Sequence, residues 1–255
     1  MAQISAIVLT KNEEDRIAKC LQSLDWVDEI IVFDSGSTDQ TCEIAKKFDA
    51  KVFVQPNWEG FGRQRELAQE KATGDWILMI DADEEVSPDL RHEIQAKLSD
   101  NVLDTAYVIP RSSWVFGRQL KHCWYPDYVL RLYPRNKGKY AAEDLVHEKV
   151  YLDDNVKLVK LKHPLWHFTY RDLNHYFVKS NNYARAWAEK AYQEGKRTNL
   201  FQAVLHAASS FFKNYFIDMG FLDSKQGFLI SILSAHAAFN KYAYLLVKWW
   251  NSDKK

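Results

Sequence analysis

Residues 76–80 read Trp-Ile-Leu-Met-Ile, an unbroken apolar run held between Asp75 and Asp81. A short run bounded by charge in this way forms a strand buried on both faces, the type found in parallel sheets. Asp81, Asp83, Glu84 and Glu85 crowd its C-terminal end. Open α/β sheets bind ligands off the carboxyl ends of their strands. Carboxylates packed there repel one another unless a positive group joins them. Mg²⁺ or Mn²⁺ would serve, since both take oxygen ligands and sit beside substrate phosphates. Helix-start chemistry is the competing account, because acids favour a helix N-terminus and Ser87-Pro88-Asp89 suits a cap and first turn. Glu85 and Asp89 fit that second account. Asp81 and Asp83 precede the cap and fit the first, and Glu84 stands between the two.

The rest of the N-terminal half repeats the same device. Residues 4–9, 30–33 and 51–54 are further short apolar runs. Helical spacing separates them over 13–24, 37–48 and 61–72, with Ser37 and Gln40 at capping-box distance. Strand and helix alternate four times, which implies a parallel sheet with right-handed crossovers and helices on both faces. After a helix over 88–98 the rhythm changes. Residues 105–110, 128–133 and 149–151 read as strands without intervening helices, a mixed or antiparallel edge to the sheet. The Trp-, Tyr- and His-rich stretch 114–128 reads as a loop over the site. From Tyr170 the pattern is helical over 176–194, 200–219 and 227–250, with Gly195, Gly220 and Gly227 as punctuation. The expected organisation is a sheet domain over 1–168 and a helical region over 169–255.

Composition narrows the classes. The 255 residues carry 34 basic and 34 acidic side chains, so no global charge points to nucleic acid. The three cysteines, Cys20, Cys42 and Cys123, form no CxxC or Cys/His cluster, which argues against structural zinc, and Cys20 and Cys42, in expected helices, read as buried thiols of a reducing compartment. The N-terminus lacks a basic n-region and a cleavage site, and a cytoplasmic location is expected. The segment 196–255 is different in character. It holds eight Lys or Arg against three Asp, and twelve Phe, Tyr or Trp. Basic and aromatic residues together suit helices lying on an anionic membrane surface. Its longest low-charge run, 227–240, is too short to span a bilayer.

In a parallel sheet the strand ends converge on one crevice. Thr10-Lys11-Asn12-Glu13 ends the first strand, Asp34-Ser35-Gly36-Ser37 the second, and Asp81-Ala82-Asp83 the fourth. GxGxxG and GxxxxGK[ST] are both absent from the sequence, so the dinucleotide and P-loop readings fail. A nucleotide site built from carboxylates, an amide and a metal remains. Turn and cap chemistry accounts equally well for Asn12, Ser35 and Asp39 taken alone.

Val8-Leu9-Thr10-Lys11-Asn12-Glu13-Glu14, Asp34-Ser35-Gly36-Ser37-Thr38-Asp39 and Asp81-Ala82-Asp83-Glu84, in that order and spacing, resemble the family 2 inverting glycosyltransferases of the GT-A fold. Trp124-Tyr125-Pro126-Asp127, Arg131-Leu132-Tyr133, Val146-His147-Glu148, Phe211-Phe212-Lys213-Asn214-Tyr215 and Gly220-Phe221-Leu222-Asp223 resemble a narrower group, the lipopolysaccharide core β-1,4-glucosyltransferases that act on the inner heptose. One departure stands out: Ser224 follows Gly-Phe-Leu-Asp where that group usually has glycine.

The resemblance implies a GT-A fold, a Rossmann-like and mostly parallel sheet flanked by helices, with a C-terminal helical appendage. It implies a UDP-sugar donor, in particular UDP-glucose, and a lipid-linked core oligosaccharide acceptor at the cytoplasmic face of the inner membrane. Asp34 is then expected to contact uracil, Asp81 ribose, and Asp83 the Mg²⁺ or Mn²⁺ on the diphosphate. Thr10, Asn12, Glu13, Ser35, Gly36 and Ala82 line the nucleotide pocket, and Arg63 and Arg65 neutralise phosphate or contact the base, unless they form a solvated helix face. Inverting transfer needs a carboxylate base beyond the DxD strand. Glu148 and Asp144 are the candidates, Glu148 preferred. His167 is a second candidate metal ligand, with a structural role as its alternative. Trp114, His122, Trp124, Tyr125 and Arg131 are the acceptor-side candidates, since aromatic faces stack on sugars and Arg pairs with acidic or phosphorylated ones. A nucleotidyltransferase would need a Gly-rich loop where Thr-Lys-Asn-Glu-Glu stands, and a non-catalytic module would not need the full carboxylate set.

Overall fold

The structure, a computed structural model, describes residues 2–99, 102–140 and 149–252. Its strands are β1 (Ile4–Thr10), β2 (Glu29–Asp34), β3 (Lys51–Val54), β4 (Trp76–Asp81), β5 (Glu84–Val86), β6 (Thr105–Val115), β7 (Arg118–Gln119), β8 (Asp127–Pro134), β9 (Gly138–Tyr140), β10 (Val150–Leu152), β11 (Lys157–Lys160) and β12 (Leu165–Tyr170). Its helices are α1 (Ile17–Gln22), α2 (Thr41–Lys46), α3 (Phe61–Gln69), α4 (Pro88–Lys97), α5 (Leu173–Gln193), α6 (Leu200–Phe212) and α7 (Ser224–Ser252). The chain forms two compact units, 1–111 with 127–167 and 112–126 with 168–255. The stretch 112–126, expected as part of the sheet domain, thus belongs to the second unit.

The first unit is built on the sheet order β3-β2-β1-β4-β8-β6-β12-β5, with β11 beside β6. The β3-β2-β1-β4 half is parallel throughout. Alternation along each strand splits its apolar residues between two cores. Ala6, Val8, Val32, Leu78 and Ile80 pack with Ile17, Leu21, Leu90 and Ile94 of α1 and α4. Ile7, Ile31, Ile77 and Met79 pack with Ala68 of α3. Burial on both faces is why these strands read as continuous apolar runs. Each fully buried Ile or Leu contributes about 1.5–3 kcal/mol.

Three local expectations fail, each for a visible reason. Glu84 and Glu85 do not start a helix; they lie in β5, which pairs antiparallel with β12. The helix itself starts where expected, with Ser87 accepting from the Leu90 N–H and Pro88 at its first position. Ser37 does not cap α2, because its hydroxyl donates to Asp34 Oδ2 at 2.5 Å and accepts from the Asn12 N–H at 2.8 Å. The 149–151 run does not extend the large sheet; β10 pairs with β9 as a separate two-stranded ribbon.

In the second unit the 114–128 stretch is partly a strand hairpin: Trp114 and Val115 of β6 pair with Gln119 and Arg118 of β7. Helices α5 and α6 both pack along α7, and the Tyr176 hydroxyl donates to the Leu233 carbonyl at 2.5 Å. Helix α6 ends at Phe212, and a π-helical turn (Lys213–Ile217) and a 3-10 turn (Gly220–Asp223) lead into α7. Gly227 does not break the last helix. It lies in the first turn of α7, where a Cβ would stand 1.9 Å from the Gly220 carbonyl oxygen. The buried Asp223 carboxylate accepts from the backbone N–H groups of Lys121, His122 and Cys123 at 2.9–3.0 Å. Burial, then Asp223 and Asp218, pushes the Cys123 thiol up to about 12. Among the described residues no helix is long and apolar enough to cross a membrane.

Candidate active site

The register of the parallel half sets the site. Thr10 pairs with Asp34, and Leu9 with Asp81, so the ends of β1, β2 and β4 share one edge. Cross-strand backbone bonds extend past the strands, from Ser35 N–H to the Thr10 carbonyl at 2.9 Å and from Ala82 N–H to the Leu9 carbonyl at 3.2 Å. The Thr10 hydroxyl is buried and has no hydrogen-bond partner. A buried hydroxyl without a partner is costly unless something binds there.

The loops after β1 and β2 are stitched together. Asn12, in a left-handed conformation at φ 55, accepts at its Oδ1 from the Thr38 N–H at 2.8 Å. The Glu13 N–H donates to the Thr41 hydroxyl at 2.8 Å. Asp34 is fully buried and accepts from the N–H groups of Gly36 at 2.9 Å and Ser37 at 2.7 Å. Gly36 has φ 84, and a Cβ there would meet Pro56 at 3.2 Å. Glycine therefore lets the loop turn and lets its backbone be approached closely. Thr10, Asn12, Glu13, Asp34, Ser35, Gly36, Ala82 and Asp83 all sit along this edge.

At the end of β4 guanidinium groups join two of the carboxylates. Arg65 donates to Asp81 Oδ1 at 2.8 Å and Arg131 to Asp81 Oδ2 at 2.5 Å. Glu84, with no exposed side chain, accepts from Arg131 at 2.9 Å and Arg111 at 3.2 Å, and its other oxygen accepts from the Asp81 N–H at 2.9 Å. Arg111 also donates twice to Asp127, at 2.9 and 2.5 Å. Burial pushes the Asp81 carboxyl up, but Arg131 and Arg65 outweigh it and hold the group far below the usual carboxylate range. Asp81 and Glu84 are thus neutralised by guanidinium groups. Asp83 is set apart: its Oδ2 lies 3.3 Å from His167 Nε2, across the β5–β12 pairing. Among the described residues no three His, Cys, Asp or Glu side chains converge as a metal cluster.

Beside Asp81 opens a cavity of about 440 Å³, lined by Arg65, Arg111, Arg131, Tyr128, Tyr140 and Lys149 with three valines and two leucines. Arg131, expected on the acceptor side, is buried against the Asp81–Glu84 pair. Arg63 faces Glu66 at 2.7 Å on the helix surface and is not drawn into this cluster, as Arg65 is. Trp114, His122, Trp124 and Tyr125 lie in the second unit. There Trp114 stacks on Phe168 and His122 Nδ1 pairs with Asp223 at 3.0 Å. Asp144 and Glu148 lie outside the described residues. Sequence reasoning missed Arg111, Asp127, Tyr140 and Lys149. One signal for the first existed: Arg111, like Arg131, adjoins an apolar strand run, where an unpaired charge would be prohibitive.

Residues 5–151 match the family described as “Glycosyl transferase family 2”. The chain belongs to glycosyl transferase family 2. An uncharacterized glycosyltransferase of Rickettsia felis is 33% identical over 255 residues, covering 96% of this chain and 90% of the relative. The lipopolysaccharide core biosynthesis glycosyltransferase LpsC of Rhizobium meliloti is 27% identical, covering 94% and 93%. The solved structure of S. aureus TarS 1–349 in complex with UDP-GlcNAc covers 98% of this chain and 92% of its own at 17% identity and TM-score 0.50. That likeness identifies the architecture. This family 2 glycosyltransferase has a GT-A-like fold, with helices flanking a sheet that is parallel in its N-terminal half and a long helix at its C-terminal end.

Proposed function

We propose that this family 2 glycosyltransferase moves a hexose, specifically glucose, from a UDP-sugar to the inner-core heptose of a lipid-linked lipopolysaccharide or lipooligosaccharide, with inversion at the anomeric carbon. The observation that carries this reading is the similarity to LpsC along nearly the whole of both chains. TarS, which shares the fold, is solved with UDP-GlcNAc, and a UDP-sugar is the donor class proposed here. Asp34 addresses the uracil and Asp81 the ribose. Held ionised by Arg65 and Arg131, Asp81 keeps further lone pairs for hydroxyl donors.

Asp83 and His167 suit a divalent cation. The carboxylate oxygen and the imidazole nitrogen lie 3.3 Å apart, close enough for both to reach one ion. Mg²⁺ or Mn²⁺ there would stabilise the charge that builds on the leaving diphosphate. Glu148, or Asp144 in its place, takes the proton of the attacking hydroxyl. Trp114, His122, Trp124 and Tyr125 address the acceptor. The test is nucleotide release from a panel of nucleotide sugars, with and without a delipidated core acceptor. UDP released from UDP-glucose in the presence of acceptor, with an inverted linkage in the product, supports the proposal. Release from a different nucleotide sugar, or a retained linkage, overturns it.

A further inference from the structure

We propose that α6 and the turns that follow it form a docking element that seats in the headgroup region of an anionic lipid bilayer. This deepens the reading above and rests on it only for why an enzyme with a lipid-linked acceptor would meet a membrane.

Helix α6 contains no charged residue. A helix on the surface of a globular unit carries one apolar stripe inward and a polar face outward. Here the outward face is apolar as well. Phe201, Val204, Leu205 and Phe212 are exposed at spacings of three, one and seven, which is one helical face. The π-helical turn continues that row with Phe216 and Ile217, and the 3-10 turn adds Phe221 and Leu222. Phe201 is 74% exposed and Ile217 65%. A contiguous apolar patch of this kind marks an interaction surface.

Charge at its borders selects the occupant. Arg197 precedes α6 and Lys225 follows it; Lys196 and Lys213 stand at the same two ends, paired with Glu194 at 2.7 Å and Asp218 at 2.6 Å. Of the acids in the segment, Asp223 is buried on three backbone amides and Asp218 pairs with Lys213. Arg197 lies 3.7 Å over the Trp249 ring, whose Nε1 donates to the Lys196 carbonyl, and Trp250 beside it is exposed. Cations and tryptophans at the ends of an apolar face are the arrangement of an interfacial helix. Pairing α6 with a second copy, parallel or antiparallel, would bring one cationic end against another. At 13 residues α6 is about 20 Å long, well short of the bilayer core, so it lies in the interface and does not cross it.

The experiment is co-sedimentation of the full chain, without substrate, with mixed phosphatidylcholine–phosphatidylglycerol vesicles and with phosphatidylcholine alone. Binding is expected to the anionic vesicles and to weaken with salt. Lys225→Glu should lower it about fivefold or more, since each basic group near such a surface contributes roughly that factor. The double variant Phe201→Gln, Leu205→Gln, whose far-UV spectrum and melting temperature should match the parent, is expected to lose binding while still transferring sugar to a delipidated acceptor. Equal recovery with both vesicle types overturns the proposal. So does a dimer that the double variant dissociates in a protein with no vesicle binding, or binding of an acidic protein partner without lipid binding. Loss of transfer to the delipidated acceptor in the parent protein would instead overturn the enzymatic reading and leave the docking result standing.

Discussion

Asp81 and Asp83 are two residues apart and have opposite surroundings. Both oxygens of Asp81 accept from buried guanidinium groups, and its backbone N–H donates to Glu84. Removing one partner from such a buried cluster leaves an uncompensated charge and costs about 3–5 kcal/mol. Changes at Asp81, Arg131 or Glu84 therefore mix structural loss with any loss of chemistry. Asp83 is partly exposed beside the His167 imidazole and is the cleaner probe. Asp83→Ala is expected to keep the melting temperature of the parent and to lower metal-dependent transfer about 100-fold or more, the scale set by loss of one charge-stabilising group. Thermal melting and initial rates at several Mn²⁺ concentrations check this together. Full activity in the variant would show that Asp83 holds no metal.

At the scale of elements, the connection into α7 carries stored strain. Ser224 has φ 62 and ψ −149, a region that glycine alone occupies at little cost, and Met219 is left-handed at φ 52. Ser224→Gly is expected to stabilise the protein by about 1 kcal/mol, read as a raised denaturation midpoint at unchanged slope; a lowered midpoint would contradict the strain. Strand β2 is fastened differently. Burial pushes the Glu29 carboxyl up, but Lys51, Ser5 and Thr73 hydrogen-bond to it and bring it from 4.5 down to about 2. A group lowered on folding contributes fully above its unfolded value and loses that contribution as pH falls through the folded one. The parent should thus lose about 2 kcal/mol relative to Glu29→Gln between roughly pH 4.5 and 2, and parallel acid-unfolding curves would refute the linkage. Strands β1, β2 and β4 were legible because burial on both faces makes an apolar run that needs no partner to be recognised. Strand β5 was not, because its Glu84-Glu85 pair is acidic and its identity depends on β12, some eighty residues later. The strand-end residues Thr10, Asp34 and Asp81 were legible from topology. The partners of Arg111 and Arg131 were not, because pairing between distant strands fixes them. The Ser37–Gln40 spacing misled because Asp34 and Asn12 claim the Ser37 hydroxyl first.

For the molecule as a whole, all the donor-side residues proposed, from Thr10 through Asp83 with Arg65, Arg131 and His167, lie in the first unit. A ligand that binds the folded state and not the unfolded one stabilises by mass action. UDP with Mn²⁺ at about 100 times its dissociation constant should add about 2.7 kcal/mol, which for a unit of this size is a shift of about 5–10 °C. The divalent ion joins Asp83 and His167 to the diphosphate in this reading, so most of the shift should vanish on adding EDTA and in Asp83→Ala. If the Asp34 loop addresses the base as proposed, GDP with Mn²⁺ should give a smaller shift than UDP. Differential scanning calorimetry reads all four conditions. An undiminished shift in EDTA would remove the metal from the donor site, and equal shifts with UDP and GDP would remove uracil recognition from the Asp34 loop while leaving the metal-bound diphosphate intact.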